Sequence, residues 1–199
     1  MYARIVQFTG ATDVDGGLEF VRNTVTPLIR QQHGYLGMVA SADRAAKVVG
    51  VMSNWETAED LDASDSALLK VREEGKQIIG GELTVEGFEQ AVFVAKGPPA
   101  VGQSLLVRRV SMEPSRVTEN LEFFRTTVLP ELEASPGIIA VRQLINRETG
   151  NGIVGTVWES ADAMEAAAAA AEERRARAAG QGVTFGEQTK REILFVDMP

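Results

Sequence analysis

Two kinds of hydrophobic pattern alternate along the first half of the chain. The runs YARIVQF (2–8), YLGMVA (35–40), VVGVMS (48–53) and AVFVA (91–95) are short, apolar and rich in β-branched residues, which predicts four strands. Between the first two runs, Leu18, Val21, Val25 and Ile29 fall at helical spacing and draw one apolar stripe. A second helix is predicted from Thr57, an N-cap residue type that directly follows the strand ending in Trp55.

The same text is written twice. LEFVRNTVTPLI at 18–29 returns as LEFFRTTVLPEL at 121–132, and VMSNWETAED returns as GTVWESADAM. Leu18 and Leu121 are 103 residues apart, and so are Trp55 and Trp158, so two distant landmarks keep one register. The stripe recurs as Leu121, Phe124, Val128 and Leu132, and the second N-cap as Ser160. Pro27 and Pro130 each remove a backbone donor from the first helix and should kink or restart it.

The predicted order is therefore strand, helix, strand, strand, helix, strand, twice. Ser41-Ala42-Asp43-Arg44 in one half and residues 146–152 in the other are polar turn text that marks hairpins. Each half then makes a four-stranded antiparallel sheet with both helices on one face, a ferredoxin-like βαββαβ unit. The strands are apolar on both sides in places, as at Val48-Val49 and Ile138-Ile139, so the bare face needs cover. The expected fold class is α+β, with two tandem halves, 1–96 and 103–199, packed sheet to sheet. Residues 97–102, Gly-Pro-Pro-Ala-Val-Gly, form a linker that reaches at most about 20 Å.

Composition narrows the function. The chain has 199 residues, 44% of them apolar, enough for packed cores. A net charge of -8 without a basic run argues against a nucleic-acid partner. No stretch reaches the roughly 18 apolar residues needed to span a bilayer and no signal core opens the chain, so a cytoplasmic location is expected. Without cysteine and with one histidine, the chain offers no thiolate nucleophile, iron-sulfur cluster or His-rich metal site.

The helix with its apolar-Pro text, the glycine opening the next strand (Gly34-Tyr35-Leu36 and Gly137-Ile138-Ile139) and the Trp closing the third strand resemble the dimeric α/β-barrel superfamily, in its antibiotic-biosynthesis-monooxygenase-like branch. In that family two chains usually pair their sheets into one barrel; here the resemblance implies an intrachain pseudo-dimer, with a homodimer of the two-half chain as a further partner state. It implies a small apolar or aromatic ligand and cofactor-free monooxygenation of an aromatic or polyketide-like compound. The alternative is a non-catalytic barrel serving in stress response or assembly. Quinone-forming members carry an Asn before the Trp and a Tyr after it, where this chain has Val51 and Val154, then Leu61 and Met164. Haem-degrading members carry a ligating His where Ser64, Asp65 and Ser66, or Ala167, Ala168 and Ala169, stand. No haem, flavin or metal is expected.

Trp55 and Trp158 are candidate aromatic walls of a pocket, with Ser53 and Val51 sharing the face of the Trp55 ring. No catalytic residue can be named. His33, whose counterpart is Pro136, reads as a solvated helix-end residue. Arg4, Gln7, Arg108, Arg109, Gln143 and Arg191 interrupt strand-like runs and are expected mainly to tie the halves together. Leu61 and Leu68 correspond to Met164 and Ala171, in the alanine tract. Close packing would then seat the second half's helix nearer its sheet, making the first half the better ligand site.

Overall fold

The computed structural model describes residues 1–198, with the backbone alone at Ala169 and Ala170. Its elements in chain order are β1 (Tyr2–Thr9), α1 (Val14–Phe20), a π turn (Val21–Val25), α2 (Thr26–Ile29), β2 (Tyr35–Asp43), β3 (Val48–Trp55), α3 (Ala58–Ile79) and β4 (Glu82–Ala95). The second copy follows as β5 (Ser104–Ser111), α4 (Val117–Phe123), a π turn (Phe124–Val128), α5 (Leu129–Glu133), β6 (Ile138–Ile145), β7 (Asn151–Trp158), α6 (Ala161–Ala166), α7 (Ala168–Gly180) and β8 (Thr184–Asp197). Hydrogen bonding orders the strands β1-β3-β2-β8-β5-β7-β6-β4 in a closed barrel. The α+β class and the barrel are those expected from the repeat.

The chain divides into two compact units, Met1–Phe88 with Arg191–Pro199, and Glu89–Lys190. In the first, β3 lies between β1 and β2, with Tyr2 and Tyr35 both opposite Trp55. In the second, β7 lies between β5 and β6, with Ser104 and Ile138 both opposite Trp158. Opposite the matched residues Val51 and Val154 stand Val6 and Arg108 on the first strands, and Ala40 and Gln143 on the middle ones.

Local chemistry explains where the helices start and turn. Thr57 Oγ1 accepts from the Asp60 N–H at 3.1 Å to cap α3, and Ser160 Oγ accepts from the Ala163 N–H at 3.2 Å to cap α6. Both prolines restart the helix, as their chemistry predicts, but the break is a π turn: Thr26 N–H donates to Val21 O and Leu129 N–H to Phe124 O. Each proline then sits in the first turn of the following segment, where its missing N–H costs nothing. Gly34 and Gly137 adopt φ of 73° and 76°, and an added Cβ would come within 2.2 Å of the Asp60 carboxylate or 2.6 Å of the Ala163 methyl. Only glycine joins helix to strand at these points. Their carbonyls accept from the N–H of Glu56 at 2.8 Å and of Glu159 at 2.9 Å, tying each strand opening to its Trp-bearing partner.

The core of each unit lies between helices and sheet. Val21, Ile29, Met38, Trp55, Leu61, Leu68 and Val71 form one cluster; Phe124, Val128, Leu132, Val141, Trp158 and Met164 form its counterpart. Among the described residues, no helix is long and apolar enough to cross a membrane.

Candidate functional site

The tryptophans repeat a small hydrogen-bonded motif. Trp55 is fully buried and donates from Nε1 to Ser53 Oγ at 3.0 Å; Trp158 is 2% exposed and donates to Thr156 Oγ1 at 2.9 Å. Two residues on one strand face, a hydroxyl and an indole, thus satisfy each other within each unit. Trp55 also meets the Tyr35 ring edge-on, centroids 5.8 Å apart.

Below the helices each unit holds a cavity lined by matching positions, among them Val25 and Val128, Ile29 and Leu132, Val51 and Val154, Ser53 and Thr156. The two differ in size: about 60 Å³ in the first unit and about 240 Å³ in the second. This overturns the expectation that an alanine-rich helix settles onto its sheet. Met164 and Arg174 are both buried and occupy the space between α6–α7 and the sheet. The methyls of Ala168 and Ala171 line a void they are too short to fill. In the first unit Leu68 fills that place.

The larger cavity is apolar and aromatic over most of its wall, with Leu106, Phe123, Phe124, Val154 and Trp158 contributing. Polar groups converge on it. Asn120 is 2% exposed, donates from Nδ2 to the Arg116 carbonyl at 3.1 Å, and has no partner for its buried Oδ1. Because a carbonyl faces the nitrogen, the free end of this amide is the oxygen. Gln143, 3% exposed, likewise leaves Oε1 buried without a partner. The corresponding residues of the first unit are Gly17 and Ala40, which carry no polar side chain.

Of the candidates read from the sequence, Trp158 lines the large cavity and Ser53 and Val51 the small one, while Trp55 packs in the core beside it. The strand arginines and glutamines have distinct fates. Arg4 donates to the Leu61 carbonyl at 3.0 Å and lies 2.9 Å from Asp65; Arg191 donates to Gln7 Oε1 at 2.6 Å. Arg4 ties β1 to α3, and Arg191, on the last strand of the second copy, ties to β1 of the first, as expected of a strand residue joining the halves. Arg108 donates to the Gly186 carbonyl at 3.2 Å and to Gln188 Oε1, and with Gln143 it faces the large cavity. Asn120 and Thr156 were not singled out from the sequence. The signal that finds Asn120 is the exchange of Gly17 for an amide at an otherwise repeated helix position.

Comparison with known proteins agrees with this geometry. No protein-family model matches the chain. A provisionally assigned monooxygenase from Fusobacterium nucleatum superposes with a TM-score of 0.72 at 12% identity, over 99% of this chain and 94% of that one. An anthrone oxidase-like protein gives 0.69 at 18% identity, over 98% and 92%. The chain has the dimeric α/β-barrel fold. A Listeria monocytogenes ferredoxin-fold protein related to antibiotic biosynthesis monooxygenases shares it at a TM-score of 0.55 and 7% identity, over 99% and 95%. Two uncharacterised Mycobacterium tuberculosis proteins, Rv2557 and Rv2558, are each 28% identical to this chain, over 83% and 82% of it and 74% and 70% of their own lengths.

Proposed function

We propose that the protein binds a small aromatic molecule bearing hydrogen-bond donors, such as phenolic hydroxyls, in the cavity of its second unit. The observation that carries this reading is the pair of buried, unpartnered acceptors, Asn120 Oδ1 and Gln143 Oε1, on the wall of an aromatic cavity of about 240 Å³. An unpartnered buried acceptor costs about 1–3 kcal/mol, so a ligand that donates to it gains what the free protein lacks. An apolar cavity of about 150 Å³ holds benzene, so this larger one suits one or two fused rings. The pocket has the composition of a small-molecule site, apolar walls with a few placed polar groups.

The reaction this reading favours is cofactor-free oxygenation, in which an electron-rich phenolate itself supplies the electron to dioxygen. The monooxygenase and anthrone oxidase-like names of the fold neighbours support that class. Calorimetric titration with naphthol tests binding, and Ala171→Leu tests location. Saturable binding to the natural sequence and its loss in the variant are expected; binding that survives Ala171→Leu places the ligand elsewhere. Oxygen uptake on an electrode with the bound phenol separates an oxygenase from a carrier.

A further inference from the structure

The charges around the two cavities are balanced differently. In the first unit Arg4 and Arg72 both line the cavity, and both face one carboxylate: Asp65 Oδ1 lies 2.9 Å from Arg4 Nη2 and 3.0 Å from Arg72 Nη1. One carboxylate thus stands between two guanidinium groups and balances both. The counterpart of Arg72 is Arg175, and the counterpart of Asp65 is Ala168. The second unit has the guanidinium without the acid.

Arg108, Arg174 and Arg175 all line the large cavity. Of the nearby acids, Glu165 lines the cavity but is paired with Lys190, and Glu131, whose charge also acts on Arg174, is paired with Arg177, which leaves Arg108 and Arg175 without an acid of their own. Arg108 has only neutral acceptors, the Gly186 carbonyl and Gln188 Oε1. Among the described residues, no carboxylate lies within ion-pair distance of Arg108, Arg174 or Arg175. Burial and the neighbouring Arg175 charge both push the Arg108 pKa down, the signature of positive charge gathered without compensation.

We propose that the ligand of the second cavity is an aromatic acid, whose carboxylate lies against Arg175 and Arg108 and supplies the negative charge that Asp65 supplies in the first unit. This rests on the cavity being a ligand site, as proposed above, and adds the ligand's charge. Guanidinium suits the role, because its planar fork accepts a carboxylate in two parallel hydrogen bonds. The aromatic body then lies among Phe123, Phe124 and Trp158, and any ring hydroxyl can donate to Asn120 or Gln143.

The test compares naphthoate with its neutral isostere, naphthamide, by calorimetry at neutral pH on the full chain. The natural sequence is expected to bind naphthoate roughly tenfold more tightly than naphthamide, the range of a charge-assisted contact. Arg175→Gln should bring the two probes close to equal affinity. Ala168→Asp, on the cavity wall, restores the missing acid in place and should abolish the preference for naphthoate. Equal affinity of both probes for the natural sequence overturns the assignment while leaving a neutral aromatic site standing. A preference unchanged in Ala168→Asp, or an equal loss of both probes, also overturns it. Failure of naphthol, naphthoate and naphthamide alike to bind sinks the ligand site itself.

Discussion

The two units carry one plan with opposite fillings. In the first, Leu68 fills the space under the helix and Asp65 balances two arginines. In the second, Ala171 and Ala168 stand at those positions, the space is open and the arginines face it unbalanced. Polar side chains have entered where the first unit has none: Asn120 for Gly17, Gln143 for Ala40, Arg108 in the strand position of Val6. Volume removed and polarity added at matching sites is the pattern of a pocket, whereas volume removed alone would be a packing fault. The difference teaches that the fold's helix-to-sheet layer is neutral ground, made core or cavity by a handful of side chains.

The strongest way to break this comparison is to exchange the fillings. Leu68→Ala should cost about 3 kcal/mol, as buried Leu truncations do. Ala171→Leu should change stability by less than about 1 kcal/mol because it enters existing space. Chemical denaturation of both variants checks this; a large loss in Ala171→Leu would show that the second layer is already close-packed in solution.

A smaller effect concerns how the first unit fastens its last strand. Asp197 accepts from Arg30 Nε at 3.1 Å and from the Tyr35 hydroxyl at 2.7 Å; at the matching positions the second unit has Val94, Glu133 and Ile138. The Arg30 hydrogen bond, and then that of Tyr35, hold the Asp197 carboxyl below its ordinary range despite burial. Its folded pKa is thus below the unfolded value of about 3.9, so the stabilisation is fully present above that value and is lost as pH falls through the folded one. Asp197→Asn should destabilise by about 2 kcal/mol at pH 7, and the gap to the natural sequence should close in acid. A gap that persists at pH 2 would assign the effect to packing.

Smaller still are the effects of the hydroxyls that accept from the indole N–H groups. Ser53→Ala leaves the Trp55 N–H without its partner and should cost about 1 kcal/mol. Thr156→Val should cost less, since the open cavity has room for a water to accept from Trp158. Thermal denaturation of the pair reads the order. The least change falls on His33, whose Nδ1 lies 2.6 Å from Asp60 Oδ1 and whose pKa is raised by that contact. In Asp60→Asn its NMR titration midpoint should fall back toward the ordinary histidine value, with no change in ligand binding; the second unit has Pro136 and Ala163 there and nothing to titrate.

Much of the fold was legible because it is written in short-range signals. The repeated Leu-to-Pro helix text, the glycines ahead of β2 and β6, and Thr57 and Ser160 behind the tryptophans each act within a few residues and appear twice. The first nine residues of β4, ELTVEGFEQ, escaped notice because they are too polar to read as a strand without their partner. The cavity was illegible for a different reason. Its volume depends on where α7 stands relative to the sheet, a long-range property, and the alanines read alone suggested the reverse. The exchanges that mark the cavity stand in other columns of the repeat: Asp65 against Ala168, Gly17 against Asn120, Ala40 against Gln143.

The connection of both copies in one polypeptide has an evolutionary consequence. A dimer of identical chains carries every substitution twice, so a mutation that hollows one cavity hollows both and doubles its cost in stability. Fusion removes that symmetry. One copy can keep its leucine and its aspartate and act as a stabilising reserve, while the other accumulates alanines, amides and arginines that would be too costly in duplicate. One polypeptide can thereby hold a close-packed copy beside an opened one.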